Sequence, residues 1–200
     1  MCLVMPLTVG ALSANCYLVV NPETRECVFC DPGGEPERLI ALSSGYTPRG
    51  VILTHGHFDH MAGADGLCSH FHIPLYLHQA DVPLLKDPQT NVSALFGSPM
   101  TVETPAIPLQ GGQVLALAGM EFRVLHTPGH TEGGVCYLLP DHQGVLSGDT
   151  LMAHGYGRTD FPGGDMRKLR ESLRTLFYLT PRMRLYPGHE ELGYVGREEG

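Results

Sequence analysis

The stretch VILTHGHFDH, residues 51–60, decides the fold, because it joins a short apolar run to a cluster of metal-ligand side chains. Residues 51–54 are apolar or β-branched, which predicts a buried strand. Directly after this run come His55, His57, Asp59 and His60. Imidazole and carboxylate groups bind zinc, and imidazole also suits iron and nickel. One ion cannot easily accept all four side chains at this spacing, so the stretch favours two neighbouring ions.

Three other short segments end a predicted strand with a candidate ligand close to a glycine. They are HTPGH at 126–130, SGDT at 147–150 and YPGH at 186–189, and they add His130, Asp149 and His189 to the candidate ligands. Glycine lets the backbone pass close to a bound ion, and loops at strand ends are where a sheet presents a site. A structural role for the whole set is disfavoured, because such spacing rarely arises without a metal. A site for a single ion stays open as the alternative.

The first half of the chain predicts mainly strands, over residues 7–12, 16–20, 26–30, 51–54 and 73–77. A short helix is predicted from Pro36 to Gly45, and an amphipathic helix over residues 64–71, where apolar side chains recur at helical spacing. Residues 79–105 show no sustained period and are interpreted as a mixed loop and helix segment over the site. Cys27 and Cys30 form a C-x-x-C in a predicted strand, where an offset of three places them on opposite faces as packing residues.

The second half repeats this plan, with strands predicted over residues 113–117, 122–126, 135–139, 145–147 and 184–186. Asp165 is a predicted N-cap for one clear helix. The predicted buried face of that helix carries Leu169, Leu173, Leu176 and Phe177. Strands followed by a helix, twice over, predict an α/β fold in which two sheets pack together with helices outside them.

Length and composition limit the classes of protein to consider. The 200 residues suit one well-buried domain over residues 1–200. A net charge of -8 with no basic run argues against nucleic-acid binding. No stretch approaches the roughly 20 apolar residues of a membrane span. The apolar N-terminus lacks a basic region and is interrupted by Pro6 and Gly10, so we expect no export signal, reduced cysteines and a cytoplasmic location.

The motif set THGHFDH, HTPGHT, SGDT and YPGH resembles the metallo-β-lactamase superfamily. Within it the chain is most similar to the glyoxalase II-like (hydroxyacylglutathione hydrolase-like) enzymes of the short, single-domain bacterial branch, whose DPGG and GRTDFPGGD stretches match residues 31–34 and 157–165. The resemblance implies a four-layer αβ/βα sandwich, with two mixed sheets face to face and helices outside. The chain stops 11 residues after His189, so we expect no C-terminal glutathione-binding helical domain of the kind found in two-domain relatives.

The resemblance also implies a ligand set for two divalent metal ions, Zn²⁺ first, with Fe or Mn as alternatives. The implied ligands are His55, His57 and His130 for one ion, and Asp59, His60 and His189 for the other. Asp149 would bridge both ions. Asp31 would steady the ligand loops from outside the ligand set.

The implied reaction is hydrolysis of a thioester or ester, with S-lactoylglutathione the family's typical substrate. A water shared by two cations loses a proton near neutral pH, and the metal-bridging hydroxide attacks the carbonyl. Asp59 and Asp149 are the predicted catalytic residues, Asp59 by orienting the hydroxide. Arg158 is the one cation beside the predicted site and could hold a substrate carboxylate. A structural salt bridge is the alternative role for Arg158.

Two other functions stay open at this point. The chain also resembles persulfide dioxygenases, oxidoreductases that share the GRTDF stretch and bind one iron through residues matching His55, His130 and Asp149. Iron content and oxygen uptake would separate that activity from hydrolysis. A non-catalytic binding module is disfavoured by the complete ligand set. A true β-lactamase is also disfavoured, because Asp149 stands where that group lacks the bridging aspartate.

Overall fold

Two six-stranded sheets form the centre of the fold in the computed structural model, which describes residues 1–196. The first sheet contains β1 (Leu3–Val9), β2 (Ala14–Val20), β3 (Glu26–Cys30), β4 (Thr47–Ile52), β5 (Leu75–His78) and β6 (Ala106–Leu109), in that spatial order. The second contains β7 (Val114–Leu117), β8 (Met120–His126), β9 (Val135–Leu138), β10 (Gly144–Gly148), β11 (Arg184–Pro187) and β12 (Gly193–Tyr194), also in sequential order.

Both sheets are mixed, as predicted. In the first sheet β1, β2 and β3 pair antiparallel, and β3 to β6 pair parallel. In the second sheet β10 and β11 pair parallel, while the other neighbours pair antiparallel. Parallel neighbours point their carboxyl ends in one direction, so the loops after β4, β10 and β11 can gather side chains at shared sheet edges.

The helices lie outside the two sheets. They are α1 (Pro36–Leu42), α2 (Phe58–Met61), α3 (Ala64–Phe71) and α4 (Met166–Leu179). Leu39 of α1 and Leu67 of α3 pack on the outer face of the first sheet, and Leu176 of α4 packs on the second. This arrangement confirms the predicted αβ/βα sandwich. Among the helices of residues 1–196, none combines the length and the apolar character needed to cross a membrane.

The strand β3 shows how alternation divides the core into layers. Cys27 and Phe29 are buried in the layer between the first sheet and its helices. Val28 and Cys30 are buried between the two sheets, where they pack in one cluster with Phe122 of β8. The two thiols therefore lie on opposite faces, as their spacing predicts. Neither is in a disulfide.

Two details of the sequence prediction are wrong. The first strand spans Leu3–Val9 rather than residues 7–12, because Gly10 and Ser13 adopt positive φ and turn the chain into β2. Phe177 is 42% exposed instead of buried. Ser172 takes the buried position on α4, and its hydroxyl donates to the Pro128 carbonyl at 2.7 Å. The interface of α4 is therefore partly polar, which an apolar period does not predict.

Two strands were not predicted. β6 contains Pro108, which has no N–H to donate, and it lies at the edge of the first sheet where a proline is tolerated. β12 is two residues long. Neither segment carries an alternating pattern over enough residues to indicate a strand.

Candidate metal centre

The candidate ligands lie in the loops that follow four strands and on one short helix. β4 ends at Ile52, the chain bends at Thr54 and His55, and His57 precedes α2 with an extended φ of -77 and ψ of 147. Asp59 and His60 lie on α2 itself. The remaining ligands follow β8, β10 and β11 as His130, Asp149 and His189. His55 and His57 therefore come from the loop between β4 and α2, and the first turn of α2 brings Asp59 and His60 to the same buried centre.

The structure brings all seven predicted ligands together. Three groups have ligand atoms within 4.8 Å of one another: His55, His57 and His130; His55, His60 and Asp149; and Asp59, His60 and His189. The first and third groups have the same members as the two implied sets. The second group joins them through Asp149, whose Oδ2 lies 3.4 Å from His130 Nε2 and 3.7 Å from His189 Nε2. Asp149 therefore lies between the two sets.

Neighbouring oxygens fix which nitrogen of three histidines faces the centre. His60 Nδ1 donates to Asp31 Oδ2 at 3.0 Å, and His130 Nδ1 donates to the Arg158 carbonyl at 2.7 Å. Thr54 Oγ1 donates its own proton to Asp31, so its lone pair accepts from His55 Nδ1 at 3.1 Å. Each Nδ1 is occupied outward, which leaves each Nε2 lone pair for the centre. Outward hydrogen bonds of this kind are the usual support of histidine ligands.

Some buried polar atoms of the centre lack a hydrogen-bond partner among residues 1–196. They include His55 Nε2 and Asp149 Oδ1. Leaving a buried polar atom unsatisfied costs about 1–3 kcal/mol. In addition, His57 Nδ1 lies 2.9 Å from His130 Nε2, so these two nitrogens face each other across the centre and His130 Nε2, whose ring donates through Nδ1, accepts in this contact. Buried nitrogen and oxygen atoms whose lone pairs converge on one centre, without hydrogen-bond partners, are what a bound cation requires.

Charge at the centre supports the same conclusion. Burial and the neighbouring histidines lower the pKa of His55 well below its usual value, so its ring is neutral and available as a ligand. Burial would also lower the pKa of His60. The carboxylates of Asp149, Asp59 and Asp31 outweigh it and raise that pKa to about 10. Carboxylates that favour a positive charge on a fully buried histidine also favour a bound cation, which would take the place of the proton on His60 Nε2.

Asp31 contacts the ligand loop as predicted. It follows β3 with φ 52, and its side chain is 1% exposed. Besides His60 and the Thr54 hydroxyl, its Oδ1 accepts the Thr54 N–H at 2.7 Å. One carboxylate therefore orients His60 directly and reaches His55 through Thr54.

Glycines beside the ligands serve two different purposes. A Cβ at Gly188 would lie 2.2 Å from Asp149 Oδ1 and 2.7 Å from His60 Cε1, so only glycine lets β11 end this close to the centre. At Gly129 the reason is different from the predicted one. Its φ is 138, and a Cβ would lie 2.3 Å from the Leu169 nitrogen, so this glycine makes room for α4.

A cavity of about 300 Å³ opens onto the centre. Most of its walls are apolar side chains: Leu12, Val92, Phe96, Met152, Tyr156 and Phe161. Val92 and Phe96 come from the segment 79–105, which therefore lies over the site in part, as predicted. Arg158 is the one Lys or Arg side chain that lines this cavity among residues 1–196.

Arg158 forms the salt bridge that was the alternative to substrate binding. Its Nε and Nη2 donate to the two carboxylate oxygens of Asp160 at 2.7 and 2.6 Å. The guanidinium carbon also lies 4.0 Å from the centroid of the Phe161 ring. These contacts fix the plane of the guanidinium at the cavity wall. They engage two of its three nitrogens, and Nη1 is outside the Asp160 pair.

Asp81 is a residue of the site that sequence reasoning missed. It is 0% exposed and joins two ligand loops. Its Oδ2 accepts the Gly56 N–H at 3.0 Å and the Thr131 hydroxyl at 2.7 Å, and its Oδ1 accepts the Gly133 N–H at 2.6 Å. Burial raises the pKa of Asp81, although these three donors oppose the shift. An aspartate three residues beyond a strand end was the available signal, but it lies in a segment without a period.

We expect Asp81→Asn to lower the free energy of unfolding by about 1–3 kcal/mol, because the new amide group turns one donor toward another buried donor. The same change should weaken metal binding, since the loops of His57 and His130 lose their shared anchor. Chemical unfolding with chelator present measures the first effect, and metal titration measures the second. Glu103→Gln is the control, because that side chain is 75% exposed. Equal stability of the two variants would contradict the anchoring role.

A family model described as the metallo-beta-lactamase superfamily matches residues 9–189. The chain belongs to the metallo-β-lactamase superfamily. It is therefore a member of a superfamily of metallo-hydrolases, and its buried histidine and aspartate cluster is the candidate for binding divalent metal.

Relatives of this superfamily member are similar over nearly their whole length. "Hydroxyacylglutathione hydrolase GloC" of Haemophilus influenzae (strain ATCC 51907 / DSM 11121 / KW20 / Rd) is 33% identical, covering 98% of this chain and 93% of its own. The solved structure of BLEG-1 B3 metallo-beta-lactamase is 36% identical with a TM-score of 0.92, covering 97% and 95% of the two chains. The solved structure of TTHA1623 in a di-iron-bound form is 38% identical with a TM-score of 0.86, covering 96% and 95%.

Proposed function

We propose that this chain is a dinuclear metal-dependent hydrolase of thioesters of the S-lactoylglutathione kind. The observation that carries the proposal is the position of Asp149 between two sets of three ligands whose free electron pairs converge. In this proposal His55, His57 and His130 hold one ion, and Asp59, His60 and His189 hold the other. Similarity to a relative named hydroxyacylglutathione hydrolase supports thioesters as the substrate class.

Bound divalent ions, Zn²⁺ first and Fe or Mn as alternatives, would lower the pKa of water and polarise the carbonyl under attack. The chain's own residues position the attacking water and the ligands. Asp59 borders the cavity, and its Oδ2 lies 3.2 Å from His189 Nε2. From there it accepts a hydrogen bond from the attacking water and holds it in line. Asp149 keeps the two ligand sets together, and a thiolate leaving group departs without a proton donor.

We also propose that Arg158 holds a carboxylate of the substrate. Asp160 and Phe161 fix its guanidinium at the cavity wall, and a rigid guanidinium matches carboxylate geometry. We further propose a cytoplasmic location, which the six unpaired cysteines favour.

Replacing Arg158 by methionine should raise KM by up to about fivefold for a carboxylated thioester, with little change in kcat. The factor is modest because the side chain is 57% exposed, and exposed ion pairs contribute about 1 kcal/mol or less. A neutral thioester of the same size should show no change. Arg167→Met, on a side chain 73% exposed and paired with Glu171, is the matched control. An equal rise in KM for charged and neutral substrates would argue against a carboxylate contact.

The proposed function is tested by assaying protein loaded with Zn²⁺, Mn²⁺ or Fe²⁺ on a panel of substrates. The panel contains S-lactoylglutathione, a thioester without glutathione, a simple ester and a β-lactam, the last because of the similarity to BLEG-1. We expect turnover of thioesters well above that of the β-lactam. Turnover of the β-lactam alone would overturn thioester hydrolysis.

A persulfide dioxygenase with one iron is the second candidate. The observation in its favour is iron in a relative that is 38% identical, although that relative is described as di-iron. Oxygen uptake with glutathione persulfide by the iron-loaded chain measures this activity directly. Uptake without thioester hydrolysis would replace the first proposal by the second.

A further inference from the structure

An apolar groove adjoins the cavity at the metal centre. Its volume is about 480 Å³, and its walls come from residues 151–156, from α4 and from the C-terminal end of the described chain. Met152 and Tyr156 line both this groove and the cavity above the ligands. The two spaces therefore meet at these two side chains, of which Tyr156 is 52% exposed.

The chemistry of the groove differs from that of the cavity. Among residues 1–196 no charged side chain lines it, whereas the cavity contains Arg158 and the carboxylates of the ligands. Three aromatic side chains at its edges are substantially exposed: Tyr156 at 52%, Phe177 at 42% and Tyr194 at 47%. Grouped exposed aromatic side chains beside a polar centre are typical of a site for an apolar ligand group.

We propose that this groove binds an extended apolar acyl arm of the substrate. This inference rests on the proposed function and extends its substrate class from the short lactoyl group to thioesters, or esters, of medium-length or aromatic acyl groups. The scissile carbonyl lies in the cavity, while the arm passes Met152 and Tyr156 and packs against Phe177. The substrate is the occupant that fits this position, because the groove begins at the two side chains that also border the cavity where the carbonyl would react.

Gly155 offers a direct way to fill the groove. A Cβ at this position would meet no atom within 4 Å, and its φ lies outside the left-handed region. Gly155→Phe therefore adds a large apolar side chain to the groove wall, and its Cβ fits without backbone strain or collision. Because Gly155 does not line the cavity at the centre, the variant should keep the metal and short substrates.

The test measures binding of thioether analogues, in which a methylene replaces the thioester carbonyl, to the zinc-loaded protein by calorimetry. N-acetylcysteamine thioethers with two, six and ten carbons form the series. We expect affinity to rise by up to about fourfold per methylene. Gly155→Phe should bind the two-carbon analogue as the wild type does and lose the gain for ten carbons. Phe177→Ser should reduce that gain, whereas Tyr178→Ser, 84% exposed on the same helix, should not.

Affinity that is independent of chain length, or a gain that survives Gly155→Phe, would overturn the proposal. So would a wild-type dimer that Gly155→Phe dissociates, because the groove would then be a contact between copies. Hydrolysis of the matching thioesters is followed in parallel. Chain-length-dependent binding without hydrolysis would refute the proposed function and keep the groove. Hydrolysis without chain-length dependence would support the proposed function and refute the acyl groove.

Discussion

Replacing Asp149 with alanine should abolish hydrolysis while the metal-free protein keeps its fold. The Asp149 carboxylate is 3.4 Å from both His60 Nε2 and His130 Nε2, and its Oδ1 has no hydrogen-bond partner among residues 1–196. This carboxylate favours the charged form of the buried His60 ring, so its loss should lower the metal-free free energy of unfolding by about 1–3 kcal/mol, which is less than the total stability of a typical domain. Activity should fall about a thousandfold or more, because several kcal/mol of transition-state stabilisation depend on the metal.

Three measurements on the Asp149→Ala variant separate function from folding. They are turnover, metal content and thermal unfolding with and without added metal. Metal that binds only the folded state raises its stability, and this increase should be present in wild type and lost in the variant. His57→Ala should behave in the same way. Asp141→Ala is the control, since that side chain is 72% exposed and pairs with the chain's amino terminus. Full turnover by either ligand variant would show that the assigned roles are wrong.

The second large effect is expected for Asp31→Asn, which should weaken metal binding about 10- to 100-fold. Asp31 accepts hydrogen bonds from the Thr54 N–H, the Thr54 hydroxyl and His60 Nδ1. Asparagine keeps the shape, and it tolerates the φ of 52 at this position. Its amide group, however, cannot accept. At least one buried donor therefore loses its acceptor, and the ligand loop loses part of the support that orients His55 and His60.

Loss of an acceptor should also lower the free energy of unfolding of Asp31→Asn by about 1–3 kcal/mol. Metal titration and chemical unfolding with chelator measure the two effects separately. Asp141→Asn provides the same chemical change on an exposed side chain. If Asp31→Asn bound metal as tightly as wild type, the ligand loop would owe its geometry to other contacts.

Four of the seven ligands could be predicted from the sequence because they are local, whereas the division of all seven into two sets came from the resemblance to the superfamily. His55, His57, Asp59 and His60 lie within six residues at the junction of a strand and a helix. The other ligands follow strand ends, where glycine marks close approach of the backbone. The core layer that each residue of β3 enters could be predicted as well, because the alternation along a strand decides the face on which each side chain lies.

The contacts that hold the ligand loops together could not be predicted in this way. Asp81 joins loops that are 25 and 50 or more residues away, and nothing in its neighbours indicates that partnership. Ser172 is buried because the Pro128 carbonyl faces it, a contact across 44 residues. Gly129 is required by α4, which packs on it from 40 residues further along the chain. Periodicity reports the faces of one element and carries no information on its distant neighbours.

The groove beside the centre also could not be predicted, because it too depends on contacts between distant segments. Its walls combine a loop, a helix and the last described residues, Tyr194 and Gly196. Each of these segments has an ordinary apolar composition by itself. Only their packing leaves Phe177 exposed next to Tyr156, and this is why the predicted burial of Phe177 failed. The side chain that departs from the helical pattern is one that lines the proposed acyl site.

The central claim is that seven side chains bind two cations. Anomalous diffraction from a crystal of the metal-loaded protein, measured at the absorption edge of the bound metal, tests this claim most directly. The account predicts two peaks, one among His55, His57 and His130 and one among Asp59, His60 and His189, with Asp149 between them. No peak at this cluster, or metal bound only elsewhere on the chain, would contradict it.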